Sequence, residues 1–387
     1  STLATSGATG VERTATAWLA LETGGGAPAV GLAFAARMLP SLLFGLAAGT
    51  IADRIDRRRL LLLVAVGAVP LMTAVSLVVA SGNLHVWQVV AIAFGAGCLQ
   101  VFDTPARQAL ILDTVPRDVA PNAVALNAVG ARLSAALGAL GAGVLIARYG
   151  AASCYPAVAA LLGLAAVSAG ALRVPQGAGI RVAPPPFRHA LRAAARLVID
   201  VPAVRTLFIA GVVCEVFGFS HSTALPVLAR DVLAAGAEGL GALNAASSIG
   251  GTVAVVVLSA LPKGVRREPL LNAAFVLYGL SILALAASGG LPLAVAALLV
   301  IGACAAAFDA LQQTLIQMAV PDEQRGRAVG TWVLGLGSAP VGHLEVGALV
   351  ALLGAPGALA INGCLVIAGA AALLTRAAPY RVGRAPL

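Results

Sequence analysis

Charge is what this chain has least of. Only 11% of its 387 residues are Asp, Glu, Lys or Arg, against 60% hydrophobic, and mean hydropathy is +0.96. A soluble protein of this length needs a far more polar surface, so a polytopic membrane protein is expected. Long runs of alternating apolar and polar residues are missing, which argues against a membrane β-barrel. Aromatic residues make up 4% of the chain and lysine occurs once, at Lys263. Cysteine is sparse: Cys98, Cys154, Cys214, Cys304 and Cys364 all fall inside apolar segments without metal-ligand spacing, which reads as inert thiols and no metal site. There is no Walker phosphate loop and no H-E-x-x-H motif. Gly218-Phe219-Ser220-His221-Ser222 is not the G-x-S-x-G of a hydrolase and lies in an apolar stretch, so no enzyme is expected. The net charge of +9 is scattered over loops, which excludes a nucleic-acid surface. No cleavable signal peptide is visible. The chain begins at Ser1 rather than Met, and the native start is expected upstream.

Small residues are abundant. There are 44 glycines, and Gly and Ala let membrane helices approach closely. An all-α bundle of twelve spans is expected, at 1–21, 28–51, 60–80, 86–112, 122–147, 151–172, 203–229, 239–261, 269–288, 291–318, 327–352 and 355–376. Turn residues such as Gly24-Gly25-Gly26 and Ser81-Gly82-Asn83 punctuate them.

Basic residues orient the spans. With both termini cytoplasmic, one set of loops holds Arg54, Arg57, Arg58, Arg59, Arg117, Arg173, Arg181, Arg188, Arg192, Arg196, Lys263, Arg266, Arg267 and Arg325. The opposite set holds Arg148 and Arg230, which is the positive-inside bias. The excess of arginine and alanine points to a high-GC genome, and a bacterial plasma membrane is the expected setting.

The chain also repeats. Ala96 to Asp103 resembles Gly302 to Asp309, 206 residues later. Val115-Pro116-Arg117-Asp118 matches Val320-Pro321-Asp322-Glu323, and Tyr149-Gly150-Ala151 matches Leu353-Gly354-Ala355. That offset is six spans, an even number, so the halves at 1–172 and 201–387 share one orientation. Between them, 173–200 carries Pro184-Pro185-Pro186 and then Arg188, Arg192 and Arg196 at four-residue steps. The spacing fits a cytoplasmic amphipathic helix on the membrane surface or a solvated basic linker.

The stretch Gly49-Thr50-Ile51-Ala52-Asp53-Arg54-Ile55-Asp56-Arg57-Arg58-Arg59, between the second and third spans, resembles the signature loop of the major facilitator superfamily of secondary transporters. Val30-Gly31-Leu32, Arg37-Met38-Leu39-Pro40, Phe102 to Gln108, Val115-Pro116-Arg117 and Asn122 to Asn127 are similar to the branch holding enterobactin and macrolide exporters. The counterpart loop at Pro262 to Arg267 is degenerate, and Gly138-Ala139 stands where exporters often carry Gly-Pro. The resemblance implies two six-helix halves around a central cavity, lined by spans 1, 4, 7 and 10.

Charge buried in a membrane is a functional candidate by default. Glu12, Arg13, Arg37, Arg132 and Glu215 are the candidates for a proton or substrate pathway. Thr5, Thr9, Glu12 and Thr16 form one polar stripe on the first span. Glu12 reads either as a proton carrier or as one partner of a static ion pair with Arg13 or another arginine. Arg37 and Arg132 supply countercharge, and Arg37 reads equally as a substrate contact. Gly49, Asp53, Arg54, Arg57 and Arg58, with Asp103, Arg107 and Asp309, are expected to form an inner gate, because Asp53 adds nothing to positive-inside retention. His343 and Glu345 are candidates for an outer gate.

The expected function is proton-driven export, by antiport, of a small amphipathic molecule such as a drug or siderophore. The proton gradient stands in place of a cofactor, and a monomer is expected. A proton-coupled importer or a lysolipid flippase fits the same scaffold, and a transport-inactive scaffold or sensor is the reading from another class.

Overall fold

The computed structural model describes residues 1–54, 57–82, 84–116, 119–171, 187–262 and 264–375. Among them every regular element is helical: α1 Thr2–Ala20, α2 Gly26–Arg54, α3 Arg57–Ala80, α4 Val86–Thr114, α5 Ala120–Tyr149, α6 Cys154–Gly170, α7 Phe187–Asp200, α8 Pro202–Val213, α9 Leu225–Val227, α10 Gly236–Ser259, α11 Arg267–Ala286, α12 Leu291–Met318, α13 Arg325–Leu336 and α14 Ala339–Thr375. Helix is the form an apolar chain takes in lipid, because only there does each segment satisfy its own backbone groups.

Among the described residues, ten stretches are long and apolar enough to cross a membrane. Two are over-long: Thr2–Gly45, with 44 residues, and Arg325–Leu373, with 49. A helix of 44 residues measures roughly 66 Å, about twice the hydrocarbon core. Each is broken by a glycine outside helical geometry, Gly24 at φ 82° and Gly354 at φ 73°. Both glycines take left-handed φ values that a side chain disfavours.

The stretch Pro202–Val232 also departs from a plain helix. After α8 it passes through a π turn at Cys214–Gly218, a 3-10 turn at Phe219–Thr223, the short α9 and a second π turn at Leu228–Val232. Such irregularities often mark functional positions.

The helices pack in repeating pairs: α1 on α5, α2 on α4 and α3 on α6, then α10 on α12 and α11 on both α12 and α14. Glycine sets the closest crossings. Gly138 of α5 lies against the backbone of Gly7 in α1, and Gly302 of α12 against that of Ser247 in α10, with no room for a Cβ. The central core contains Tyr155, Phe275, Tyr278 and Phe308, all under 2% exposed. The periphery is apolar as well: Leu63, Leu77, Leu126, Leu137 and Leu352 are each more than 60% exposed. Such a rim fits contact with lipid.

α7 gives the segment before the second half a definite form. Its Ala194 and Leu197 are buried while Arg192 and Arg196 are exposed, and the helix packs on α8 and α13. Residues 173–186 of the expected linker, before this helix, lie outside the described residues.

Candidate functional site

A central space runs between the helices as two chambers of about 400 Å³ each. They share Thr9, Arg13, Arg132, Ala135 and Ser248. The first reaches the start of α1 at Thr2 and Thr5, the later part of α4 at Asp103 and Arg107, and Asn127 of α5. The second is lined by Glu215, His221, Asn244, Asp309 and His343.

Beyond His343 the helices close. An added Cβ on Gly31 of α2 would stand 2.5 Å from the His343 carbonyl and 3.2 Å from Gly347 Cα in α14. A Cβ on Gly143 of α5 would stand 2.8 Å from the Ala237 carbonyl and 3.1 Å from Glu238 Cα in α10. Phe34 stacks on His343 there, with ring centroids 5.2 Å apart and planes 20° from parallel. His343 Nδ1 is 2.8 Å from Thr223 Oγ1.

The polar stripe of α1 faces the first chamber through Thr5, Thr9 and Glu12. Glu12 is paired, and its partner is Arg37 rather than Arg13. Thr16 donates to the same carboxylate at 3.0 Å, and Arg37 Nη2 donates to Gln100 at 3.1 Å. Thr16 also lies 3.3 Å from the Tyr155 hydroxyl. The static-pair alternative for Glu12 therefore has a concrete partner, set by how α2 crosses α1.

Arg13 points the other way, exposed to the chambers. Its guanidinium carbon lies 5.7 Å from the Phe34 ring centroid. Among the described residues it makes no ion pair. Arg132 and Glu215 also line the second chamber, where Glu215 sits in the π turn.

Asp309 belongs with them. The inner-gate assignment grouped it with Asp103 and Arg107, but it lines the chamber of Glu215 and accepts a 2.9 Å bond from Trp332 Nε1 in α13. Arg132 and Asp309 lie close enough for their charges to interact. The repeat predicts equivalence of Asp103 and Asp309, but their partners differ. Asp103 has Arg107 one turn on, and the matching position after Asp309 is Gln313.

Arg107 holds Asp103 with two bonds, at 3.1 and 2.6 Å, and reaches Ser1 Oγ at 2.6 Å and Thr5 Oγ1 at 2.9 Å. It thus ties α4 to the start of α1 within the first half. Gly49, Asp53, Arg54, Arg57 and Arg58 belong by backbone to α2 and α3; their side chains, and Ile55 and Asp56 entirely, lie outside the described residues.

The two outer-gate candidates separate. His343 stands at the closed end of the second chamber. Glu345 lines neither chamber and accepts a 3.3 Å bond from Asn362. Two residues along a helix, the side chains diverge by about 200°, which places Glu345 on the side facing the last stretch of α14 rather than the cavity.

Sequence reasoning missed Gln100, Tyr155, Phe34, Trp332 and Asn362 as partners. Gln100 and Asn362 carried a signal, since each is an uncharged polar residue inside an apolar stretch. Phe34, Tyr155 and Trp332 carried none, because an aromatic in an apolar run looks like core.

A family model described as a transmembrane secretion effector matches residues 1–382, and the chain belongs to that family. It is a transporter of the major facilitator superfamily, not an enzyme. The Staphyloferrin A transporter of Staphylococcus aureus (strain NCTC 8325 / PS 47) is 25% identical over 333 residues, 84% of this chain and 82% of the relative. Among solved structures, the nucleoside transporter NupG superposes with TM-score 0.75 at 14% identity, covering 97% of each chain. A POT family transporter in complex with 5-aminolevulinic acid superposes with TM-score 0.73 at 14% identity, covering 98% of this chain and 96% of that one. These two likenesses are of fold.

Proposed function

We propose that this protein is a secondary exporter of a bacterial plasma membrane, moving a small amphipathic molecule such as a drug or siderophore outward in exchange for protons. Twelve passes follow when the two over-long stretches are each counted as two, parted at Gly24 and Gly354. The halves at 1–172 and 201–387 then repeat one packing scheme: α2 on α4 corresponds to α10 on α12, and α3 on α6 to α11 on the last stretch of α14. The linker at 173–200 joins them on the cytoplasmic side, with both termini, as the basic loops support. The chain works as a monomer.

One observation carries the reading. A central space closes at the His343 end by helix contacts of α2 with α14 and α5 with α10, while its other chamber extends to Thr2 and Asp103. Two carboxylates, Glu215 and Asp309, stand in its second chamber. Alternating access needs such a space with one closed end, and an intramembrane carboxylate is the common carrier of a coupled proton. Glu12, locked to Arg37, is assigned to holding α1 against α2, and Glu215 with Asp309 to proton coupling. The Staphyloferrin A transporter supports a siderophore-like cargo.

The test uses inverted vesicles carrying the full-length protein and a pH-sensitive dye. A panel of antibiotics, siderophores and lysolipids is added after energisation. A cargo-dependent proton leak that is lost in Glu215→Gln and kept in Glu12→Gln is the expected result. A leak that survives Glu215→Gln and Asp309→Asn would remove both carboxylates from coupling. Cargo movement without any leak would replace antiport by uniport.

A further inference from the structure

The charged side chains of the second chamber divide by half. Arg13 and Arg132 come from α1 and α5, Glu215 and Asp309 from the Pro202–Val232 stretch and α12. Four of the nearby charges have an opposite charge close by. Glu12 is bound to Arg37, and Arg132 lies within electrostatic reach of Asp309. Arg13 lies within electrostatic reach of both Glu12 and Arg37, but it faces the space and makes no ion pair among the described residues.

Its setting is built. The Phe34 ring lies beneath the guanidinium carbon at 5.7 Å, a cation–π contact that leaves the N–H edges free. A guanidinium presents a planar fork of donors that matches a carboxylate with two parallel bonds. Phe34 in turn stacks on His343, so a flat ring platform adjoins the fork at the closed end of the second chamber.

We infer that the cargo is an organic anion, seated with a carboxylate on Arg13 and with its apolar or unsaturated part against Phe34 and His343. The inference deepens the export reading and rests on the same cavity. At its fork Arg13 attracts a carboxylate and repels an ammonium group, so it selects by sign of charge as well as by fit.

Three probes of one shape and three charges test this: 3-phenylpropionate, its neutral amide, and 3-phenylpropylamine. Binding is measured by titration calorimetry on the purified full-length protein in detergent. The carboxylate should bind at least tenfold more tightly than the amide or the amine. Arg13→Gln should abolish that preference, Arg13→Lys should keep part of it, and Arg148→Gln, at the far end of α5, should leave it intact. Should Arg13→Gln not yield a folded sample, Phe34→Leu serves in its place. It keeps the charge and should weaken the carboxylate several-fold by removing the platform. Equal binding of all three, tighter binding of the amine, absence of binding, or a preference that survives Arg13→Gln would overturn the inference. Those results concern binding alone, so the proton-leak assay still judges export separately.

Discussion

Arg37 of α2 donates to the carboxylate of Glu12 in α1, with the two residues 5% and 3% exposed. The pair fastens neighbouring helices and takes Glu12 out of the cavity's free charge. The hydrogen-bonded partner is thus Arg37 on the neighbouring helix rather than Arg13, the neighbour in sequence. Removing one partner of a buried pair strands the other charge, at about 3–5 kcal/mol. Arg37→Met should therefore lower thermal stability in detergent by about that much. The double change Arg37→Met with Glu12→Gln should recover most of the loss. Absence of recovery would mean that Arg37 acts through Gln100 instead.

Closure at the His343 end rests on glycine. Gly143→Val puts side-chain atoms where the α10 backbone now stands, so α5 and α10 should no longer close. A cysteine at Ser222, in a chain whose native cysteines are replaced by alanine, should then react at least several-fold faster with an impermeant thiol reagent added outside. An unchanged labelling rate would mean that the contact between α2 and α14 closes that end alone.

Arg107 is the tie between α4 and the beginning of α1. Arg107→Gln loses its charge-assisted bonds to Asp103 and those to Ser1 and Thr5. Bonds of that kind contribute about 1.5–3 kcal/mol. Amide exchange should speed up over residues 1–9, with little change in α10 and α12. Uniform acceleration across the protein would show a global rather than a local role.

Glu345 and Asn362 form a small polar contact away from the cavity. Asn362→Leu leaves the carboxylate without its donor and should cost roughly 1–3 kcal/mol. Asn362→Leu combined with Glu345→Leu should be near neutral, and cargo-driven proton flux should persist in the double variant. Loss of flux there would return Glu345 to a gating role.

Much of this was legible in advance. Apolar length and turn residues located the helices, because a membrane fixes how long each must be. The stripe of Thr5, Thr9 and Glu12 pointed correctly to an interior face, since such a stripe cannot meet lipid. Which arginine would reach Glu12 was not legible. Arg13 is adjacent in sequence, yet successive helix positions diverge by about 100°, and the choice of Arg37 depends on how α2 crosses α1. The repeat misled at Asp309, where one changed residue a turn later gave the same motif a different partner. The breaks in the Pro202–Val232 stretch were hidden too, because apolar residues there pack equally well in π, 3-10 and α turns.

The meeting of Gly31 with Gly347, and of Gly143 with Gly241, sets backbone directly against backbone. Attraction between such surfaces falls away within an ångström or so of separation. It depends on fit rather than on charge, so added salt should hardly shift the balance between the closed and opened ends. Bilayer thickness and tension, which push helices together or apart, should shift it more than salt does.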